Sequence, residues 1–166
     1  MEYRKARSEE VTAIMEVIHE AIAAMQSQGI HQWDQHYPTS RWIQKDIEEG
    51  SGFVVVDQTE ILAYVCVNED QPDEYAMIKW EDEEGKCCVI HRLVVHPKHQ
   101  GKGIAKFLIA SYEDDARDHG YTSVRLDTFS ENPISMKLYP NLGYLRRGEV
   151  KFTHRESMFP VFEKKL

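Results

Sequence analysis

Val89-Ile90-His91-Arg92-Leu93-Val94-Val95-His96-Pro97-Lys98-His99-Gln100-Gly101-Lys102-Gly103-Ile104-Ala105 reads as a strand, a tight loop and the start of a helix. The β-branched and apolar run from Cys87 to Val95 is the strongest strand in the chain, and Pro97 stops it. Beyond the glycines, Ile104, Phe107, Leu108, Tyr112 and Ala116 recur at helical spacing, and Gly120 closes the pattern. Gly101 and Gly103 let the backbone turn sharply and put no side chain between its amides and a ligand. The first amides of a helix have no internal acceptors, and the helix dipole favours negative charge there. A diphosphate at this loop would meet several backbone donors together.

Charge around the segment supports the same reading. From Gly85 to Tyr112 there is no Asp or Glu, although 28 acids over 166 residues would place about five in such a window. The window instead holds Lys86, Arg92, Lys98, Lys102 and Lys106 with His91, His96 and His99. In a chain of net charge -8, a stretch kept clear of negative charge suits an anionic ligand. The overall acidity disfavours a nucleic-acid backbone as partner.

Outward from the segment, the pattern predicts an α/β domain around one mixed sheet. Glu2–Ala6 is a short first strand, and Ser8 caps a helix carrying Val11, Ile14, Met15, Ile18, Ala21, Ile22 and Met25 on one face, closed by Gly29. A second helix starts from Thr39 or Ser40 and runs to Glu49. Phe53–Val56 and Ile61–Val67 form a hairpin across Asp57-Gln58-Thr59-Glu60. Glu69–Lys86 is charged and reads as a long loop or a ragged hairpin. Val124–Thr128 is a strand, Asn132-Pro133 suits the cap and first turn of a short helix, and Val150–Thr153 and Phe159–Phe162 are the last strands. At 166 residues the expectation is one domain over 1–166, with 1–86 as an acceptor-side half, 87–145 as a ligand-binding core and 146–166 as closing strands. No apolar run approaches the ~18 residues of a membrane span, and the N-terminus lacks an apolar export segment, so the expected compartment is the cytoplasm. Three cysteines make no disulfide framework, and with nearby histidines they lack zinc spacing, so no metal is expected.

Two familiar phosphate-binding motifs do not match. There is no Gly-x-x-x-x-Gly-Lys-Ser/Thr run, and in a Gly-x-Gly-x-x-Gly frame the last position is Lys106. Gln100-Gly101-Lys102-Gly103-Ile104-Ala105 instead resembles the Gln/Arg-x-x-Gly-x-Gly/Ala signature of the GNAT superfamily of N-acetyltransferases. The resemblance extends from Val89 through Asn132, Leu138-Tyr139 and Gly143-Tyr144 in order and spacing, and is looser in the N-terminal half. It implies the GNAT acyl-CoA N-acyltransferase fold, a central, mostly antiparallel mixed sheet flanked by helices. It also implies acetyl-CoA as co-substrate, a small-molecule or peptide amine as acceptor, and direct transfer in a ternary complex. Homodimers are frequent among proteins similar to this one.

The resemblance also implies roles for individual residues. Leu93, Val94 and Val95 would offer strand backbone to the pantetheine arm, with the Leu93 or Val94 amide near a bulge as oxyanion donor. Gln100, Gly101, Lys102, Gly103, Ile104 and Ala105 would hold the pyrophosphate. Asn132 would contact pantetheine or cap its own helix. Tyr139 matches the general acid: a phenol with pKa about 10 stays protonated at neutral pH and can serve a thiolate of pKa about 8.5. Pro140 follows it directly, which predicts a kink or an early helix end. A lysine-like amine is neutral in roughly one molecule in 2,500 at pH 7, a cost of about 4.6 kcal/mol, so a base must help. His91, on the face of Val89 and Leu93, is the candidate base, and Glu81, Glu83 or Glu84 could act through water. Trp33, His36 and Tyr37 lie where the family builds its acceptor wall, though they also suit sheet-edge packing or a dimer contact. A domain of this fold that binds acyl-CoA without turnover, as a sensor or partner module, is the alternative function.

Overall fold

The computed structural model describes residues 1–166. Seven strands are ordered β1-β2-β3-β4-β5-β7-β6, comprising β1 Glu2–Lys5, β2 Gly52–Asp57, β3 Glu60–Asn68, β4 Cys87–Val95, β5 Ser123–Asp127, β6 Leu145–Val150 and β7 Phe159–Lys165. The helices are α1 Val11–Ser27, α2 Ser40–Glu48, α3 Ile104–Asp118 and α4 Pro133–Asn141. Pairing is antiparallel for β1/β2, β2/β3, β5/β7 and β6/β7, and parallel for β4/β5. This is the mixed, mostly antiparallel sheet with helices that the sequence predicts. The chain divides into two compact units, Met1–Val67 with Arg92–Tyr112, and Asn68–His91 with Glu113–Leu166.

In the first unit the apolar stripe of α1 buries Ile14, Ile18, Ala21 and Ile22 against Val54, Val56, Ile61 and Val94, with Ile43 of α2 and Trp33. Ile14, Ile18 and Ile43 are fully buried, and truncating any of them to Ala should cost about 2–5 kcal/mol. Ser8 does not cap α1: Ser8–Glu10 is a single 3-10 turn, and α1 starts at Val11. The Glu10 carboxylate closes a capping box on this turn, its Oε2 accepting from the Arg7 amide at 2.8 Å while Arg4 donates to both carboxylate oxygens. Ser8 lies inside the turn, and α1 itself has no side-chain cap. The expected β2–β3 hairpin is present, with Gln58 in the left-handed region (φ 54) at its turn.

In the second unit β5 and β7 bury Val124, Leu126, Val161 and Phe162. Tyr139 of α4 packs on Tyr144 and Phe162, with ring centroids 5.8 and 6.1 Å apart. Glu69–Lys86 is a loop interrupted by one 3-10 turn, Asp73–Met77. The closing strands differ from expectation. The penultimate strand is Leu145–Val150, not Val150–Thr153, and it registers on β7 from Leu145↔Glu163 to Val150↔Phe159. Leu145-Arg146-Arg147-Gly148-Glu149-Val150 is an edge strand with only Val150 buried, so its sequence shows no apolar alternation.

Pro140 neither ends α4 early nor stops its C-terminal closure. The helix runs to Asn141, the Leu142 amide reaches Leu138 O at 3.2 Å, and the Tyr144 amide reaches Tyr139 O at 3.0 Å. A proline in the last turn removes a single amide donor, which the following residues compensate.

Candidate active site

The β4–α3 segment folds as its residues dictate. His96 caps the 3-10 turn Pro97–His99, its Nδ1 accepting from the Lys98 amide at 3.3 Å. Gln100 Nε2 donates to Val95 O at 3.2 Å, tying the loop back to the end of β4. Gly101 and Gly103 both have left-handed backbones, φ 75 and 81. A Cβ built at either would meet no protein atom within 4 Å, so conformation and not internal crowding requires glycine. The Phe107 amide bonds Gly103 O at 2.9 Å and opens the helical ladder, leaving the amides before it as the donors of the helix start.

The basic window is less isolated in space than along the chain. Glu20 of α1 approaches Lys98 Nζ and His96 Nε2, each at 3.6 Å, and Glu60 accepts from His99 at 2.8 Å. The His99 bond, with its charge, holds the Glu60 carboxyl below its ordinary value. These acids are partners of the His96–His99 turn. Lys102 Nζ lies 3.4 Å from His99 Nδ1.

Arg92, on the same strand, is the buried charge of the first unit. Its Nε donates to Asp46 Oδ2 at 2.9 Å, its Nη2 to Asp46 Oδ1, and its Nη1 to the Tyr37 hydroxyl at 2.9 Å. Tyr64 donates to Asp46 Oδ2 at 2.7 Å, and the guanidinium lies 5.3 Å from the Trp42 ring centroid. The network therefore clamps β4 to α2 and to the segment preceding it. Of the three acceptor-wall candidates, the network holds only Tyr37. Tyr37 is held by Arg92, Trp33 is buried in the α1 core, and His36 is exposed with its amide on Asp34 Oδ1 at 2.7 Å.

The β4/β5 ladder registers Cys87↔Ser123 through Ile90↔Leu126 and ends there without a register shift. Leu93, Val94 and Val95 lie beyond its last rung, with no bulge in that ladder. In the second unit His91 is partly exposed, and its Nε2 lies 2.7 Å from Asn68 Oδ1. The same Oδ1 accepts from the Asp70 amide at 2.9 Å, so it is an acceptor and His91 Nε2 carries the proton. Asn132 is a helix cap, its Oδ1 accepting from the Ile134 and Ser135 amides at 3.1 and 3.3 Å. Tyr139 is buried on α4, and burial first, then the charge of Asp127, pushes its phenol above the ordinary value. It is therefore protonated throughout the physiological range.

None of the cysteines is poised as a nucleophile. Burial pushes the Cys66 thiol up to about 12, and Cys88 is fully buried with its thiol directed at Ser123 O, 3.7 Å away. No group of three or more His, Cys, Asp or Glu side chains is placed to hold a metal ion. No helix is long and apolar enough to cross a membrane.

The model of the acetyltransferase (GNAT) family matches residues 15–144. The chain belongs to the GNAT acetyltransferase family. It is 27% identical over 150 residues to the L-amino acid N-acyltransferase MnaT of Escherichia coli (strain K12), covering 87% of this chain and 80% of that protein. It is 29% identical over 108 residues to an L-methionine sulfoximine/L-methionine sulfone acetyltransferase of Salmonella typhimurium, 62% of this chain and 63% of that one. Its fold matches a GNAT-family acetyltransferase of Streptococcus agalactiae with TM-score 0.88 and 24% identity, covering 99% and 95% of the two chains. It also matches the Salmonella typhimurium acetyltransferase yncA, solved with acetyl-CoA, with TM-score 0.73, 19% identity and coverage of 100% and 94%.

Within this GNAT chain, sequence reasoning overlooked Asp46, the buried partner of Arg92, and Asp127, whose Oδ2 accepts from the Tyr75 hydroxyl at 2.8 Å, and it gave Arg92 no specific partner. One signal was available for two of them. A charge inside the buried strand Cys87–Val95, or ending the apolar run of β5, must find a partner or a task.

Proposed function

We propose that this chain transfers the acetyl group of acetyl-CoA to a primary amine by direct attack in a ternary complex. The observation that carries the proposal is the Gln100–Ala105 loop, with two left-handed glycines in open space leading into the start of a fifteen-residue helix. Backbone amides of Gly101–Ala105 suit the pyrophosphate, with Lys102 adding charge, while Gln100 acts by holding the loop to Val95. The amides of Leu93, Val94 and Val95 suit the pantetheine arm and the oxyanion, since they lie past the end of the β5 ladder. Asn132 serves as a cap that fixes α4 and hence Tyr139.

In this reading the amine nitrogen attacks the thioester carbonyl, a C–N bond forms and the C–S bond breaks. Tyr139 protonates the departing thiolate, and the proton lost by the tetrahedral nitrogen restores the phenol. His91, the other candidate base, has Nε2 engaged with Asn68 Oδ1 at 2.7 Å. Two relatives named for amino-acid acceptors favour a small amino acid or close analogue as the amine, with Tyr37 as the residue of the acceptor side.

The test is a screen of amino acids, amino-acid sulfones and sulfoximines, polyamines and peptide N-termini, with thiol detection of released CoA. An enzyme shows turnover with at least one amine, and Tyr139→Phe then lowers kcat by about 10²–10⁴ with acetyl-CoA affinity unchanged. Tight acetyl-CoA binding without turnover on any amine would favour a non-catalytic acyl-CoA sensor instead.

A further inference from the structure

Asp127 is the last residue of β5 and the first beyond Leu126, where the ladder to β4 stops. Its Oδ2 accepts a 2.8 Å bond from the Tyr75 hydroxyl. Its other oxygen, Oδ1, accepts no hydrogen bond from the protein, and no lysine or arginine pairs with the carboxylate. Tyr75 is itself buried, its ring on Trp80 with centroids 5.1 Å apart and its carbonyl accepting from Trp80 Nε1 at 3.2 Å. Arg125, two residues earlier on β5, is committed elsewhere, to Glu163, to Gln71 and to the Trp80 face 4.2 Å away.

Asp127 is partly buried, with Oδ2 anchored by Tyr75 and Oδ1 given no donor by the protein, so Oδ1 is open to accept a proton from outside the fold. The groups around it are Glu74 and Tyr75 from the 3-10 turn and Tyr139 from α4. His91 follows the last ladder rung on β4, and Val161 is the apolar partner on β7. Only one of these, Tyr75, stabilises the charged form by hydrogen bonding, while burial and Glu74 oppose it. The carboxyl is pushed up to about 6.

Resting on the acetyl-transfer reading, we propose that Asp127 is the general base that takes a proton from the incoming ammonium group. The carboxylate accepts that proton through Oδ1 and becomes the neutral acid, and the amine lone pair then forms the C–N bond. Asp127 returns the proton to solvent before the next turnover. Tyr75 is a positioning residue, fixing the carboxylate through Oδ2 and setting the pH at which it ionises. His91, whose Nε2 proton is spent on Asn68, is not needed for this step.

The experiment is a pH profile of kcat/KM for whichever amine the screen identifies, on wild type, Asp127→Asn, Tyr75→Phe and His91→Gln. Wild-type activity should rise to a plateau with an acidic limb near the pushed-up value of about 6. Asp127→Asn, which keeps an acceptor for Tyr75, should lose about 100-fold or more and the limb with it, at unchanged acetyl-CoA affinity. Tyr75→Phe should move the limb to higher pH, a shift that a merely structural tyrosine would not cause and that serves if Asp127→Asn fails to fold. In His91→Gln the limb should stay in place. An active wild type with Asp127→Asn within threefold of it, or a limb that moves only with His91, overturns the base assignment alone. A wild type that binds acetyl-CoA and acetylates no amine overturns the parent reading as well.

Discussion

Removing Asp46 should be among the most costly single substitutions in this chain. Asp46 and Arg92 are 2% and 7% exposed, so their charges are largely out of water. Asp46→Ala strips the guanidinium of two donated bonds, leaves it the Tyr37 hydroxyl as its oxygen acceptor, and orphans the Tyr64 hydroxyl. Breaking one side of such a pair typically costs about 3–5 kcal/mol, because an uncompensated charge stays buried. For a chain of this size that is a fall in Tm of roughly 6–20 °C. Because Arg92 lies on the strand that leads into the Gln100–Ala105 loop, acetyl-CoA affinity should fall together with stability. Urea unfolding followed by circular dichroism measures the first effect and isothermal titration the second. The double variant Asp46→Leu/Arg92→Met should recover most of the lost stability, since an apolar pair of similar volume escapes the desolvation penalty. A loss below about 1 kcal/mol for Asp46→Ala, or no recovery in the double variant, would refute the reasoning.

Gly103→Ala should raise KM for acetyl-CoA about tenfold and lower stability by only about 1–2 kcal/mol. The added methyl meets no protein atom but must adopt φ 81, so unchanged binding would show that the loop amides do not grip the co-substrate. A pH effect on stability follows from the same carboxylate that is proposed as base. Its folded-state pKa lies above the ordinary 3.8, so its stabilising contribution is complete below about pH 4 and lost as pH rises through about 6. Asp127→Asn should therefore be more stable than wild type above pH 7, by up to about 3 kcal/mol, and equal to it below pH 4 in thermal melts. A constant difference across pH would contradict the assignment of that value to Asp127.

The elements whose information is local were legible. Strand β4 was read over its full length, the hairpin of β2 and β3 and the helix after Gly103 were placed within a few residues, and Asn132 caps α4 as its Asn-Pro pair suggests. The glycine loop was legible because positive φ and open helix amides are properties of a few consecutive residues. Misreadings arose where a distant or competing partner decided the outcome. Ser8 does not cap α1, because Glu10, held by Arg4, instead closes a 3-10 turn over Ser8–Glu10. Edge strand β6 carries almost no apolar signal because Val150 is its one buried residue. Pro140 was tolerated because Leu142 and Tyr144 close the helix past it.

The amino-acid sequence by itself determined the order of the elements and a strand-loop-helix built for an anionic ligand, through periodicity, glycine placement and the absence of acids from Gly85 to Tyr112. Only the tertiary structure decided what the charged and phenolic groups can do. Arg92 finds Asp46 across 46 positions, and Asp127 finds Tyr75 across 52. The reason is physical: a carboxylate's proton affinity is set by the burial and dipoles that packing brings around it, and these come from residues far away along the chain.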